Sequence, residues 1–332
     1  HRRFGHIGGN ALQRTAQHVS GLRRHRTPKF CDCCVRAKLA KSPTPKYAAV
    51  RAHADKPLGQ VSVDTIEYSL RSTETTTALT GCKYAAVFVD GYSRYRYVHP
   101  MKSKAAAESL QALKKFIQQV GKPEHILTDY GTEYKGVFEQ FCTDERIRMR
   151  KSCPYRAYMN GLVERSNRVL KTIARTLLID SNLPPTFWCH ALLHAASIAN
   201  CTAWRDGPTP HELLRGHPPD VSHFRVFGAP CYSYVEKDLR KPLEHGQHAE
   251  PCIFLGFAPD SPSYLLYRPK SRDVLTRDRS DVVFDEGFTN AADVLLDRYT
   301  RPAGELLDRT PFMPSTPRPR QRVEQADVDN FF

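Results

Sequence analysis

The sequence predicts an α/β core flanked by two smaller modules, one rich in Cys and His at the N-terminus and one all-β toward the C-terminus. Three observations carry this. An alternating run at 60–68 and two strand-like runs within 82–101 precede an amphipathic stretch at 103–121, as in a sheet layered with helices. After Trp204 the chain becomes short strand-like runs separated by Gly, Pro and Asp, the pattern of a small all-β barrel. Before residue 45, histidines and cysteines gather in a segment too short to build a core of its own.

Taken in order, residues 1–22 read as a loop and then a helix with Leu12, Ala16 and Val19 on one face. The stretch 42–59, rich in Pro, Lys and small residues, has no period and reads as a linker. Residues 60–68 alternate as a strand, and 82–101 read as two strands joined at Asp90-Gly91-Tyr92-Ser93. The helix at 103–121 presents Ala106, Leu110, Leu113 and Ile117 as its buried stripe and stops at Gly121 and Pro123. A short strand at 125–131 ends in Asp129. A helix near 134–143 and a strand near 147–151 follow, then a long helix at about 160–180 and another in the Ala-rich stretch that contains Trp188. Beyond about 290 the Pro-, Arg- and Asp-rich end reads as disordered.

The 332 residues carry a net charge of +14, and 1–56 alone hold thirteen Lys or Arg against two acids, Asp32 and Asp55. Such a concentration points to a polyanion, most simply nucleic acid. No apolar run approaches the roughly 20 residues that span a bilayer, and no signal peptide is visible in the opening residues. Ten cysteines without a secretory context suggest reduced thiols, some of them held by metal.

His1 and His6, followed by Cys31 and Cys34, offer two imidazoles and two thiolates, a tetrahedral Zn²⁺ set whose closure would give the basic segment a core. The alternatives are a redox CxxC, which would sit in a βαβ unit that this segment lacks, or plain buried cysteines. Cys33 is then the spare thiol, with His18 or His25 as weaker substitutes for a histidine ligand.

Asp64 interrupts an apolar strand between Val63 and Ile66, where a carboxylate is costly unless paired or metal-bound. Asp129 ends a strand of the same expected sheet, and Glu164 lies on the following long helix. A lone helical glutamate usually neutralises neighbours such as Arg165 and Arg168. As an ordered set, strand Asp, strand-end Asp and helical Glu instead suit two Mg²⁺ ions and phosphodiester transfer. Asn160, Glu164, Asn167 and Lys171 fall on one helix face with Arg168 beside it, a surface suited to gripping DNA phosphates. Asp90 is read as a turn residue, Glu133 as a cap for the helix after it, and Trp188 as core.

These residues resemble copia-type (Pseudoviridae) LTR-retrotransposon integrases, relatives of the retroviral integrases. The likeness runs in order from the His-His-Cys-Cys module with CCVRAK through VFVDGYSRYRYV, TDYGTEY and CPYRAYMNGLVERSNRVLKTIAR. It continues through LPPTFWCHALLHAA, TPHELLRGHPPDVSHFRVFGAPCY and CIFLGFAPDSPSYLLY to VVFDE. The resemblance implies a small helical zinc domain at 1–45, a linker at 46–57, an RNase H-like core with a mixed five-stranded sheet at 58–205, and an SH3-like barrel at 206–290, before the tail 291–332. It implies a catalytic triad of Asp64, Asp129 and Glu164 holding two Mg²⁺ (or Mn²⁺), and one structural Zn²⁺ on His1, His6, Cys31 and Cys34. The pattern departs from the family where 34 residues, one fewer than usual, separate Asp129 from Glu164, at Tyr130, and over Tyr155–Met159.

The activity so implied joins the 3′-hydroxyl ends of element cDNA to target DNA, with trimming of those ends left open. The partners are the LTR ends, target DNA and further copies of the chain in a tetramer or larger assembly. No membrane is involved, and a host targeting factor could engage the C-terminal tail. The implied location is the nucleus at integration and a cytoplasmic virus-like particle before it. The competing reading is a domesticated or inactive copy that binds DNA without joining it; a hydrolytic nuclease of the same fold is disfavoured by the flanking modules.

Overall fold

Two short helices, α1 (Gly9–Thr15) and α2 (Asp32–Lys38), open the described part of the chain and fold against its centre. The structure, a computed structural model, describes residues 2–22, 31–38, 54–67, 69–71, 74–75, 78–151, 157–203, 207–237, 248–259 and 261–285, without the side chains of 35, 38, 69–71, 74–75 and 157–160. His1, His25, most of the expected linker and the expected disordered tail lie outside these residues.

The central sheet is built by alternation. On β1 (Val61–Glu67), Val61 and Val63 join the apolar cluster on one face while Ile66 joins the cluster on the other. After a small hairpin, β2 (Ser69–Arg71) and β3 (Glu74–Thr75), come β4 (Tyr84–Asp90) and β5 (Arg96–Met101). Strands β6 (His125–Thr128) and β7 (Arg148–Lys151) complete a five-stranded sheet of order β5-β4-β1-β6-β7. β1 pairs antiparallel with β4 and parallel with β6, so the sheet is mixed. The β4–β5 turn is closed by buried Asp90, whose carboxylate accepts from the Leu58 and Ser93 amides and the Ser93 hydroxyl. The last residues of the expected linker therefore already belong to the core, with Leu58 packed on its apolar cluster.

Helix α3 (Ala106–Gln119) covers one face, but its stripe is rotated from the sequence expectation. Ser109, Ala112, Leu113 and Phe116 are buried, and Leu110 and Ile117 flank them. Phe116 sets the phase by stacking on Phe88 of β4 at 4.8 Å, so the largest side chain takes the centre. A 3-10 turn at Thr132–Tyr134 precedes α4 (Val137–Asp144). The opposite face carries α5 (Ala157–Ser181) and α6 (Trp188–Asn200), with Trp188 fully buried in the core as expected.

After α7 (Pro210–Arg215) come β8 (Pro230–Tyr234), β9 (Ala249–Phe257), β10 (Tyr264–Arg268), β11 (Asp273–Arg277) and β12 (Val282–Phe284). They form an antiparallel sheet of order β11-β10-β9-β8-β12. Among the described residues no pairing joins β11 to β12, so closure of the expected barrel is not observed. This sheet does not stand apart. Phe4 and Leu12 near the N-terminus, Ile173 and Leu177 of α5, most of α6, and Phe224, Phe227 and Ile253 share one apolar cluster. Phe4 stacks on Phe224 at 5.4 Å, and the chain near Ser20 bridges to Asp220. At Gly256 on β9 (φ +123) a side chain would press His194 of α6, so the strand passes that helix only as glycine.

Candidate active site

Asp64 sits near the middle of β1 on the face toward α5. Its Oδ1 accepts from the Thr65 amide at 2.9 Å and its Oδ2 from the Asn167 side-chain amide at 2.7 Å. Burial pushes its carboxyl up to about 6, and the charges of Asp129 and Glu164 push the same way against the Thr65 amide and Lys171. The three acids expected from the sequence are thus drawn into one electrostatic neighbourhood. They are not gathered tightly: among the described residues, no donor atoms of these three fall within 4.8 Å of one another as a group.

Asp129 follows β6 directly, at the end of a parallel strand, where ligand-handling residues of layered α/β proteins tend to lie. Its Oδ1 accepts from the Gly131 amide at 2.9 Å. The loop is tight at Gly131: a Cβ would lie 2.9 Å from Asp129 Oδ1 and 2.4 Å from Glu133 Oε2, so a side chain there would displace both carboxylates. Glu133 therefore does not cap the next helix as expected. α4 begins at Val137, after Gly136 and without a side-chain cap, and the Glu133 carboxylate folds back over Gly131 toward Asp129. Glu164 is exposed on α5, one turn before Asn167 and two before Lys171.

The face of α5 divides its roles differently from the sequence reading. Asn167 is buried and spends its amide on Asp64, so it orients a carboxylate rather than offering itself to a phosphate. Lys171 is half-buried; burial pulls its ammonium down, while Asp64 and Glu67 hold it up. Arg165 and Arg168 are exposed, and the side chain of Asn160 lies outside those described. Beneath Asp64, which sequence reasoning did not reach, buried Tyr134 shares a hydrogen bond with Thr65 at 3.0 Å and meets Phe138 edge-on. The only sequence trace of this support is the aromatic residue five positions after Asp129.

A second cluster lies at the N-terminus. His6, Cys31 and Cys34 bring one donor atom each within 4.8 Å of one another, and His6 Nδ1 is 3.1 Å from Cys31 Sγ. One nitrogen and two sulfurs, with the imidazole buried, suit Zn²⁺. His1 lies outside the described residues, as does His25, and His18 is engaged with Glu212 at 3.6 Å. Cys33 points instead at Asp180 of α5, 3.6 Å away, and burial together with that carboxylate pushes its thiol up to about 11.

A family model described as integrase core domain matches residues 54–157, and one described as retroviral polymerase SH3-like domain matches 229–294. The first contains Asp64 and Asp129 and ends short of Glu164. The chain is 28% identical over 303 residues to the retrovirus-related Pol polyprotein from transposon TNT 1-94 of Nicotiana tabacum, covering 88% of this chain and 22% of that one. It is 26% identical over 297 residues to the corresponding polyprotein from transposon RE1 of Arabidopsis thaliana, covering 86% of this chain and 19% of that one. It therefore spans about a fifth of the length of these curated relatives. Among solved structures, the HTLV-2 integrase catalytic core domain in complex with magnesium is 26% identical with a TM-score of 0.40, covering 49% of this chain and 99% of that one. The chain thus carries an integrase core domain followed by a retroviral polymerase SH3-like domain, and its homologues are the Pol polyproteins of plant retrotransposons and the Gag-Pol polyproteins of retroviruses.

Proposed function

We propose that the chain is a retrotransposon integrase that joins the 3′-hydroxyl ends of its element's cDNA to target DNA. The observation that carries this is the state of Asp64, half-buried on the central strand and pushed up to about 6 by burial and by Asp129 and Glu164. A buried carboxylate raised by two neighbouring acids, on a strongly basic chain, fits divalent cations and a polyanionic substrate. Asp64, Asp129 and Glu164 would hold two Mg²⁺ or Mn²⁺, whose Lewis acidity stabilises the attacking and leaving oxygens of phosphodiester exchange.

In that exchange a 3′-oxygen of element DNA bonds to a target phosphorus, and the target's own P–O3′ bond breaks. The proton of the attacking hydroxyl is lost, and the departing 3′-oxygen gains one. One phosphodiester is consumed and one formed, so no external energy source is needed. The chain's own part is positional. Asn167 and the Thr65 amide fix the Asp64 carboxylate, the Gly131 amide fixes Asp129, and Arg168 and Lys171 on α5 would hold flanking phosphates. His6, Cys31 and Cys34, with His1, would hold one Zn²⁺ that stabilises the N-terminal module. Assembly as a multimer on paired DNA ends, and action in the nucleus, belong to the same proposal.

The test is a strand-transfer assay with matching terminal DNA, comparing the wild-type chain with Glu164→Gln. The substitution keeps side-chain volume and removes a ligand charge, so joining should fall by orders of magnitude while DNA binding is retained. Joining by Glu164→Gln at near wild-type rate would return Glu164 to a surface partner of Arg165 and Arg168.

A further inference from the structure

His6 uses both faces of its ring. It is buried, its Nδ1 lies 3.1 Å from Cys31 Sγ, and its Nε2 lies 3.4 Å from Asp180 Oδ2. Asp180 is not part of the N-terminal module. It stands near the end of α5, the helix that carries Glu164, and it is largely buried. Arg2 donates through Nε to both of its oxygens, at 3.1 and 2.9 Å, and Cys33 Sγ approaches one of them at 3.6 Å. The backbone is committed to this contact. Gly5 (φ +55) passes so close to α5 that a Cβ would lie 2.6 Å from Ile173, and His6 itself adopts φ +60.

We infer that Asp180 is the outer carboxylate of the zinc site, through which zinc occupancy is coupled to docking of the N-terminal module on the catalytic helix; this rests on the zinc reading given under the proposed function. An imidazole that gives its Nδ1 lone pair to a metal must keep its proton on Nε2, and that proton needs an acceptor. A carboxylate there fixes the tautomer, sets the ring's plane and raises the basicity of the ligating nitrogen. Asp180 Oδ2, 3.4 Å from Nε2, is placed to accept that proton, and Arg2 holds the carboxylate in place. His6, Cys33 and Asp180 also bring one ligand atom each within 4.8 Å of one another, but with zinc on the Nδ1 side, between Cys31 and Cys34, Asp180 is a positioning residue and Cys33, the thiol left over from the ligand count, serves the same carboxylate.

The test uses the full chain and a chromophoric chelator that competes for Zn²⁺, with α-helical content followed in parallel. Asp180→Asn, nearly isosteric, and Asp180→Ala should weaken zinc affinity within the range of about 10–100-fold typical of outer-sphere partners, the alanine more strongly. Arg2→Ala, which loosens the same docking contact but leaves the Nε2 acceptor, should lower zinc affinity by clearly less than either Asp180 variant. Release of zinc should also increase protease cleavage of the N-terminal module in the wild-type chain, and Asp180→Ala should show that cleavage with zinc present. Wild-type zinc affinity in Asp180→Asn would overturn the inference even if the alanine variant failed to fold. So would an Arg2→Ala loss as large as that of Asp180→Ala, because the effect would then follow docking rather than the His6 proton. A wild-type chain that binds no zinc would instead remove the zinc reading itself.

Discussion

The Asn167 side-chain amide donates to Asp64 Oδ2 at 2.7 Å, tying the helix of Glu164 to the strand of Asp64. The bond fixes one of the proposed metal-holding carboxylates relative to the element that bears another. Replacing Asn167 with Ala should leave DNA capture nearly intact and slow joining by about 10–100-fold, the usual loss when an orienting partner of a metal-holding group goes. Single-turnover joining at saturating DNA reads the first effect and a binding titration the second. Equal losses in both would mean that Asn167 touches DNA after all.

Gly131→Ala tests the loop after β6. A Cβ there would lie 2.4 Å from Glu133 Oε2 and 2.9 Å from Asp129 Oδ1, so both side chains must move. Because Glu133 is a flexible side chain, folding should survive with only a small shift in melting temperature, while joining falls at least about tenfold from displacement of Asp129. A fully active Gly131→Ala chain would show that the loop rearranges freely in the working complex.

Acid should destabilise the fold through α6. His194 is ringed by Phe227, Phe254 and Phe257 at 5.3–5.7 Å, and neither ring nitrogen has a hydrogen-bond partner among the described residues. Burial, with His223 adding to it, pulls His194 down to about 3, and burial pulls His190 down to about 4. Unfolded, both titrate near 6.5. Below that pH the unfolded chain takes up protons that the folded chain refuses. The stability is therefore complete above about 6.5 and drains as pH falls toward about 4 for His190 and about 3 for His194. The slope approaches about 1.4 kcal/mol per pH unit for each histidine. Thermal melts from pH 7 to 4.5 should show it, and His194→Leu should flatten it by about one proton. A slope unchanged in that variant would assign the acid sensitivity to other groups.

Phe116→Ala should cost about 3–5 kcal/mol, because it removes a ring that stacks on Phe88 and meets Tyr97 edge-on in a sealed layer. Chemical denaturation provides the measurement. A cost under about 1 kcal/mol would place the sequence-predicted stripe through Leu110 and Ile117 back at the centre of the helix.

What the sequence revealed divides along a physical line. Strand patterning is local, alternating in β1 and continuously apolar in β4, so these strands, β5 and the turn at Asp90 could be read directly. The position of Asp64 in an apolar strand could be read because a buried charge is costly and demands a reason. The phase of α3 was misread because Leu110 and Ile117 score as apolar as Phe116, and only the shape of the opposing sheet decides which ring enters. Glu133 was misassigned because capping is a local rule, whereas its carboxylate follows the tight loop at Gly131. Asn167 pairs with a residue 103 positions away, and no periodicity within α5 distinguishes an amide facing Asp64 from one facing solvent. Closure of the last sheet depends on edge pairing, which composition does not encode.

The apolar cluster shared by Phe4, Leu177, Trp188, Phe227 and Ile253 makes the chain poorly divisible. A fragment cut to residues 54–203 would leave the outer walls of α5 and α6 bare and sticky, and recombination that grafts a foreign C-terminal module would have to match those walls side chain for side chain.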